Sequence, residues 1–323
     1  MSTSIISFKN GSSSMKKRRR IIFLFSIFLI SLVTIFFLKF KNNNPIYNVN
    51  YSLSQKEKKD LELFFYDLLA SNELAYTLFG DKPMSFCIPK AYKPRFSNSN
   101  FTYKIYLDGT KPLFRGLYVW KTLASKIKKS NYLLIIFEDK NYPTFAILVN
   151  KNAFRIEFNK NIDLFQKYYG PQVTAESILN SLGEKGSDYN EVFDNSFLHV
   201  DVLLGIMLGF GRHNAELYQR REELAFPKPP LFFPTPSGGY PTPSDGFLST
   251  EAEIKYLGEH LQFVQNKSPL FFSVTPVCFV GDRDDPETHI LVKKYDTLHK
   301  KLIAIFEQKD WLAIVLHKLS ANQ

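Results

Sequence analysis

The chain lacks the short motifs that usually fix a reaction. There is no His-Glu-x-x-His zinc helix, no Gly-x-Ser-x-Gly nucleophile elbow, and no Gly-rich phosphate loop ending in Lys-Ser or Lys-Thr. The six histidines, at positions 199, 213, 260, 289, 299 and 317, show no paired metal spacing, so neither a metal nor a cofactor is expected. Cysteine is scarce: Cys87 and Cys278 both sit in apolar, strand-like surroundings. A disulfide between them fits an extracytoplasmic setting, and two buried free thiols fit the same surroundings. An internal repeat and a doubly wound βαβ alternation are missing as well.

The body of the chain also has little net charge. The whole carries +10, but eight of its 41 basic residues fall within positions 1–41, where no acidic residue occurs. That leaves 33 basic against 31 acidic residues in the remainder, which lacks the electrostatic footprint of a nucleic-acid binder. What is present is apolar and aromatic. Hydrophobic residues at 45% and aromatic residues at 15% exclude wholesale disorder.

The longest apolar run begins at Ile21 and ends at Leu38, and it contains only Ile, Leu, Val and Phe besides Ser26, Ser31 and Thr34. As a helix it would span roughly 27 Å, close to a bilayer's hydrocarbon thickness. Its length exceeds a signal-peptide core, and 39–44 offers no small-x-small cleavage site. An uncleaved, single-pass transmembrane anchor (a signal-anchor) is the expectation, with the lipid bilayer as its partner. Five consecutive basic residues, Lys16 to Arg20, precede the run, and Lys39 and Lys41 follow it. That bias places the N-terminus in the cytoplasm and the remainder outside it, in the periplasm of a Gram-negative inner membrane.

The expected organisation is a basic tail at 1–20, the anchor at 21–38, a juxtamembrane linker at 39–54 and a domain at 55–323. Ser54 and Glu57 form a capping box ahead of an apolar helical pattern. Segments 84–88 and 102–107 read as strands and 113–129 as a helix. Strands at 132–138 and 144–150 pair as a hairpin. Helices follow at 161–169, 173–182, 196–225 and 250–265, then a strand at 270–280 and helices at 286–308 and 311–319. Between them, 226–246 holds seven Pro and three Gly, which forbid regular structure. The predicted fold class is α+β: after the anchor, a mainly helical domain with a small, mostly antiparallel sheet.

Two segments carry candidate chemistry. In 201–214, an apolar stretch holds Gly205 and Gly209 and leads into Arg212, His213, Asn214 and Glu216. Arg212 and His213 could hold an anionic ligand or supply a general acid; a glycine-packed core helix with a solvated polar end explains the same residues. In 281–289, carboxylates follow an apolar strand, and Asp282 and Asp284 could bind a divalent cation or accept a phosphoryl group. The plainer account is that Asp285 caps a helix, Pro286 takes its first position and Glu287 complements its dipole. Neither EF-hand nor haloacid-dehalogenase spacing is met.

At Leu208-Gly-Phe-Gly-Arg-His-Asn-Ala215 and across 281–288, the chain resembles uncharacterised membrane-anchored proteins of chlamydia-like intracellular bacteria. The resemblance implies a Gram-negative inner membrane and supplies no catalytic residue. The leading expectation is a domain that binds a partner or ligand; the proline-rich 226–246 segment could be a partner-docking strip or a lid, and a long connection pinned to the domain by Leu231, Phe232 and Phe233 explains it equally. A membrane-tethered hydrolase using Arg212, His213 and Asp282 or Asp284 is the alternative, and a structural envelope protein is a third.

Overall fold

Ser54 opens the first helix as its sequence requires. Its hydroxyl accepts the Glu57 N–H, and the Glu57 carboxylate reaches back to the Ser54 N–H at 2.8 Å. Helix α1 (Gln55–Phe65) passes into a π-helical turn, Tyr66–Ala70, and a short helix α2 (Leu74–Phe79) follows. Leu61, Phe64, Phe65, Leu68 and Leu69 are buried, which is the stripe the helical spacing predicts. This computed structural model describes residues 53–89, 100–127, 130–139, 142–184, 197–225, 243–265 and 274–320. They fall in the compact unit Leu53–Gln323.

The larger sheet has strand order β1-β3-β2, all antiparallel, from β1 (Met84–Cys87), β2 (Tyr132–Asp139) and β3 (Tyr142–Asn150). The hairpin pairs Ile135 with Ile147 and Phe137 with Phe145, and a bulge follows Phe137. Alternation along the strands sends the two sets of side chains to opposite faces. One face carries Met84, Ile135, Phe137, Ile147 and Val149 into a cluster with Phe154, Phe158, Phe165 and Leu203. These come from helices α4 (Lys151–Lys160), α5 (Ile162–Tyr169) and α7 (Asp201–Met207); α6 (Ala175–Glu184) adds Ile178, Leu179 and Leu182. The other face meets α2, where Thr77 Oγ1 bonds Ser85 Oγ at 2.7 Å and the Tyr132 hydroxyl donates to Leu78 O at 2.8 Å. The sheet is thus a middle layer between helices.

Helix α3 (Asn100–Ala124) crosses α1 at one glycine. A Cβ on Gly116 would fall 2.3 Å from Asp60 O, so only hydrogen permits the approach. Beside it Arg115 grips the Asp60 carboxylate with two bonds, at 2.6 and 2.9 Å.

A second, two-stranded sheet pairs β4 (Leu261–Gln265) with β5 (Cys278–Asp282) in antiparallel register, Phe263 opposite Val280. It packs Leu261 and Val280 with Leu224 and Leu257 of helices α8 (Arg212–Ala225) and α9 (Thr250–His260). On its other face Phe279 meets Phe210 and Tyr295. Helices α10 (Pro286–Phe306) and α11 (Trp311–Ser320) complete the described chain.

The α+β class holds, but its membrane part is corrected. Among the described residues no helix is long and apolar enough to cross a membrane. The expected anchor from Ile21 to Leu38 lies outside the described residues, as do the tail and linker through 52. The single-pass topology and the inner-membrane, periplasmic localisation built on it are not retained. Other corrections are local. Residues 102–107 belong to α3, whose pattern Pro112 interrupts in sequence without ending the helix. Segment 250–265 is a helix only to His260, beyond which Leu261 is extended and β4 begins. Of the helix expected at 196–225, the described residues 197–225 form a 3-10 turn and two helices rather than one. Lys151–Lys160 is a helix capped by Asn150, whose side chain accepts the Ala153 N–H. Cys87 and Cys278 are free thiols, so no disulfide joins their strands.

Gly116→Ala should force α1 and α3 apart. We expect it to lower stability by about 1–3 kcal/mol, read from the midpoint of urea denaturation, with far-UV circular dichroism unchanged.

Candidate functional site

The segment between α7 and α8 turns on two glycines. Gly209 and Gly211 have φ of 75° and 86°, a left-handed region that other residues enter only with strain. The space is also closed to a side chain: a Cβ on Gly209 would fall 2.5 Å from Tyr295 Oη, and one on Gly211 2.6 Å from the Glu287 carboxylate. Tyr295 donates its hydroxyl to Gly209 O at 2.6 Å. Between the glycines Phe210 stacks on Phe279, with centroids 5.3 Å apart. Gly205 lets α7 approach α8 at Ala215, so the close-approach role expected of the glycine pair belongs to Gly205 and the turn-making role to Gly209.

That turn delivers the N-terminus of α8 to the N-terminus of α10. Both ends present unpaired N–H groups and the positive pole of a helix dipole, and the acidic run at 282–287 answers them. Asp285 caps α10 by accepting the Thr288 N–H at 3.0 Å, with Pro286 at the first position. Glu287 acts across the junction, its Oε2 accepting the His213 N–H of α8 at 3.2 Å. Gly211, which starts α8, has no side chain to cap with, and a carboxylate from α10 fills that place. Asn214, 1% exposed, ties the two segments. Its Oδ1 accepts the Asp282 N–H at 2.9 Å and the Thr288 hydroxyl at 3.0 Å, while its amide donates to Phe210 O at 2.9 Å.

The structure therefore brings His213 and Asp282 together and directs Arg212 elsewhere. His213 Nε2 lies 3.5 Å from Asp282 Oδ2, with the imidazole 44% exposed and the carboxylate 12%. Asp282 Oδ1 also accepts the Asp284 N–H at 3.0 Å. Arg212 donates twice to Asp163, at 2.9 and 2.8 Å, and its Nε donates to Glu216 at 2.8 Å. Those bonds raise the guanidinium's proton affinity and hold the Asp163 carboxyl below its usual range. A guanidinium so engaged has its strongest directions already committed. What the arrangement offers chemically is an exposed His–Asp pair set among carboxylates that serve as helix caps. Among the described residues, no group of three or more His, Cys, Asp or Glu could hold a metal ion.

Two polar clusters escaped the sequence reading. Lys82 is fully buried, its Nζ 2.7 Å from Glu73 Oε2 and 5.3 Å from the Phe210 ring centroid. In sequence it reads as a turn residue between Asp81 and Pro83, so nothing local marks it. The second cluster centres on Glu253 of α9, 2% exposed. Arg220 of α8 donates to both its oxygens, at 2.8 and 2.9 Å. Ser244 adds its N–H at 2.8 Å and its hydroxyl at 2.7 Å. Arg220 first, and then Ser244, hold this carboxyl down to about 2 against the opposing effect of burial. At position 253 an acidic residue in a helix's first turn looks like ordinary dipole compensation. The two thiols are held protonated, Cys87 by burial and then Asp67, Cys278 by burial and then Glu73.

No family model, no curated protein and no solved structure matches the chain.

The junction predicts an asymmetry. Asn214→Ala leaves the Asp282 N–H and Thr288 hydroxyl without their acceptor and should lower stability by about 2–3 kcal/mol. Arg212→Ala removes half-exposed ion pairs and should change stability by less than about 1 kcal/mol. Urea denaturation of the two variants checks the order. Glu253→Gln should lower stability at pH 7 by about 3 kcal/mol. The wild-type contribution is present above the unfolded carboxyl's value of about 4.3 and fades as pH falls toward about 2. The variant should lack that acid-dependent step in a series of unfolding curves.

Proposed function

We propose that the domain at 53–323 is a binding module that offers the proline-rich segment 226–246 to a protein partner. The observation that carries this reading is the Glu253 cluster. Arg220 lies near the end of α8, just before the segment, and Ser244 lies at its far end; both are bonded to one buried carboxylate. The two ends of an insertion rich in proline and aromatic residues are thereby held to a folded base, which limits the freedom lost when a partner takes it up. Proline-rich ligands are bound in aromatic-lined grooves and lose little conformational entropy on docking. Phe226, Leu231, Phe232, Phe233 and Tyr240 supply apolar side chains among the prolines.

A hydrolytic reading draws less support. It needs Arg212 and His213 to act together on a substrate, whereas Arg212 is engaged by Asp163 and Glu216 and Glu287 is taken up in capping α8. The one favourable contact is His213 with Asp282.

The test uses the full chain and a panel of purified proline-recognising domains of the SH3, WW and EVH1 kinds. Serine at Pro227, Pro229, Pro230, Pro234 and Pro236 should abolish binding to at least one domain that the wild type binds with a Kd under about 100 μM. Its thermal midpoint should stay unchanged. Binding that survives the substitutions, or no binding by any domain, would remove this reading.

A further inference from the structure

Helices α2 and α10 are 206 positions apart from Gly80 to Pro286, yet they pack along much of their length. Just past α2, Gly80 admits Leu298, whose Cδ2 would lie 2.4 Å from a Cβ there. Lys294 reaches Asp81 at 2.8 Å, and Phe79 meets Phe306 edge-on at 6.5 Å. At the centre sit Tyr76, 0% exposed, and His299, 4% exposed. The Tyr76 hydroxyl lies 2.6 Å from His299 Nδ1, and the two rings are nearly parallel, 12° apart. Tyr295 meets Tyr76 edge-on at 5.9 Å.

The hydroxyl has a second bond that sets the direction of the first. The backbone N–H of Val277, just before β5, donates to the Tyr76 oxygen. Tyr76 therefore accepts from Val277 and has one proton to give, and Nδ1 is the acceptor within reach. Such a bond requires a neutral imidazole with its proton on Nε2. If Nδ1 takes a proton from solvent, its lone pair becomes an N–H bond aimed at an oxygen that already accepts one. The hydroxyl proton of Tyr76 then loses its acceptor, and an imidazolium charge sits buried against the Tyr76 ring.

We propose that the Tyr76–His299 pair is an acid-sensitive fastener, which holds α10 on α2 while the imidazole is neutral and loosens it when Nδ1 is protonated. Charged groups face the pair from several elements. Asp296, on α10 itself, favours the imidazolium. Burial opposes it and is the larger effect, so His299 gains its proton only below the ordinary histidine range. Asp81 is paired with Lys294, and Glu73, the charge that bears on Tyr76 from the start of α2, is paired with Lys82. On α11, Lys318 lies over the Tyr132 ring, with His317 beside it in sequence.

The sign follows from linkage. The unfolded chain binds this proton more readily than the folded one, so the fastener's contribution is present above about pH 6.5 and falls as pH drops below it. It is independent of the proline-rich segment, so either reading can fail alone.

The experiment is thermal unfolding of the full chain from pH 8 to pH 5, for wild type, His299→Gln and Tyr76→Phe. Glutamine can accept the Tyr76 proton and does not titrate there. Wild type should lose at least about 3 °C more of its midpoint than His299→Gln between pH 7 and pH 5. Tyr76→Phe, which has no proton to lose, should show a smaller loss than wild type. The His299 ring, followed by NMR in the wild type, should titrate below the value of free histidine. Parallel profiles for wild type and His299→Gln overturn the proposal, and so does a ring that titrates at or above the ordinary histidine value. Should His299→Gln fail to fold, the ring titration decides by itself.

Discussion

The domain is organised around a lysine that has no access to water. Lys82 precedes β1 by one proline, and its ammonium is wholly buried against Glu73. Burying such a charge costs several kcal/mol, and only a well-placed partner offsets it. Glu73 is that partner, and its other oxygen accepts the Cys278 N–H at 3.1 Å, where β5 begins. One carboxylate therefore joins the approach to the first sheet to the start of the second. The Lys82 stem also lies against Gly209, with Cγ 3.3 Å from the place of a Cβ there, and the ammonium lies near the Phe210 ring. The turn that separates α7 from α8 is shaped around this ion pair. Taking away the Glu73 carboxylate would leave the Lys82 charge stranded in the core and the Cys278 N–H without its acceptor.

Parts of the fold set by neighbours in sequence could be read from sequence. The capping box at Ser54, the hairpin of β2 and β3, and the Asp285-Pro286 start of α10 depend on contacts within a few residues. The second sheet could be read only in part, through the strand expected at 270–280. Its strands come from an apparent helix tail at 261–265 and from Cys278–Asp282, which begins inside the apolar run 270–280 and continues past its end, and each needs the other for its hydrogen bonds. The break at Gly209 was equally hidden, because apolar residues on either side continue a helical pattern. What breaks that pattern is the Tyr295 hydroxyl and the Lys82 stem, contributed from other parts of the chain.

The candidate site divides along the same line. Asp285 acts on its own helix, and its role follows from the residues beside it. Glu287 was expected to serve the dipole of its own helix, whereas its carboxylate caps α8. Arg212 stood out as an unpaired cation beside an apolar stretch, but Asp163, 49 positions earlier, receives it. Charged residues that look available in sequence are taken up here by partners from distant segments. That is the usual outcome when two helix ends meet below a surface.

This bears directly on what the domain can do. Catalytic groups need room for a substrate and a charge state tuned to the reaction. Here Arg212, Asn214 and Glu287 act as mutual anchors, and each new contact they would make with a substrate must first displace one with the protein, whereas the His213 ring stays nearly half exposed beside Asp282. Displacing Glu287 would uncap α8, and displacing Asn214 would orphan two donors. The Glu253 cluster differs in kind. It joins Arg220, near the end of α8, to Ser244, near the far end of the 226–246 segment, through one buried carboxylate. Among the described residues, the junction of α8 and α10 is committed to holding helices together, and the Glu253 cluster is committed to holding α9 to α8 and to Ser244.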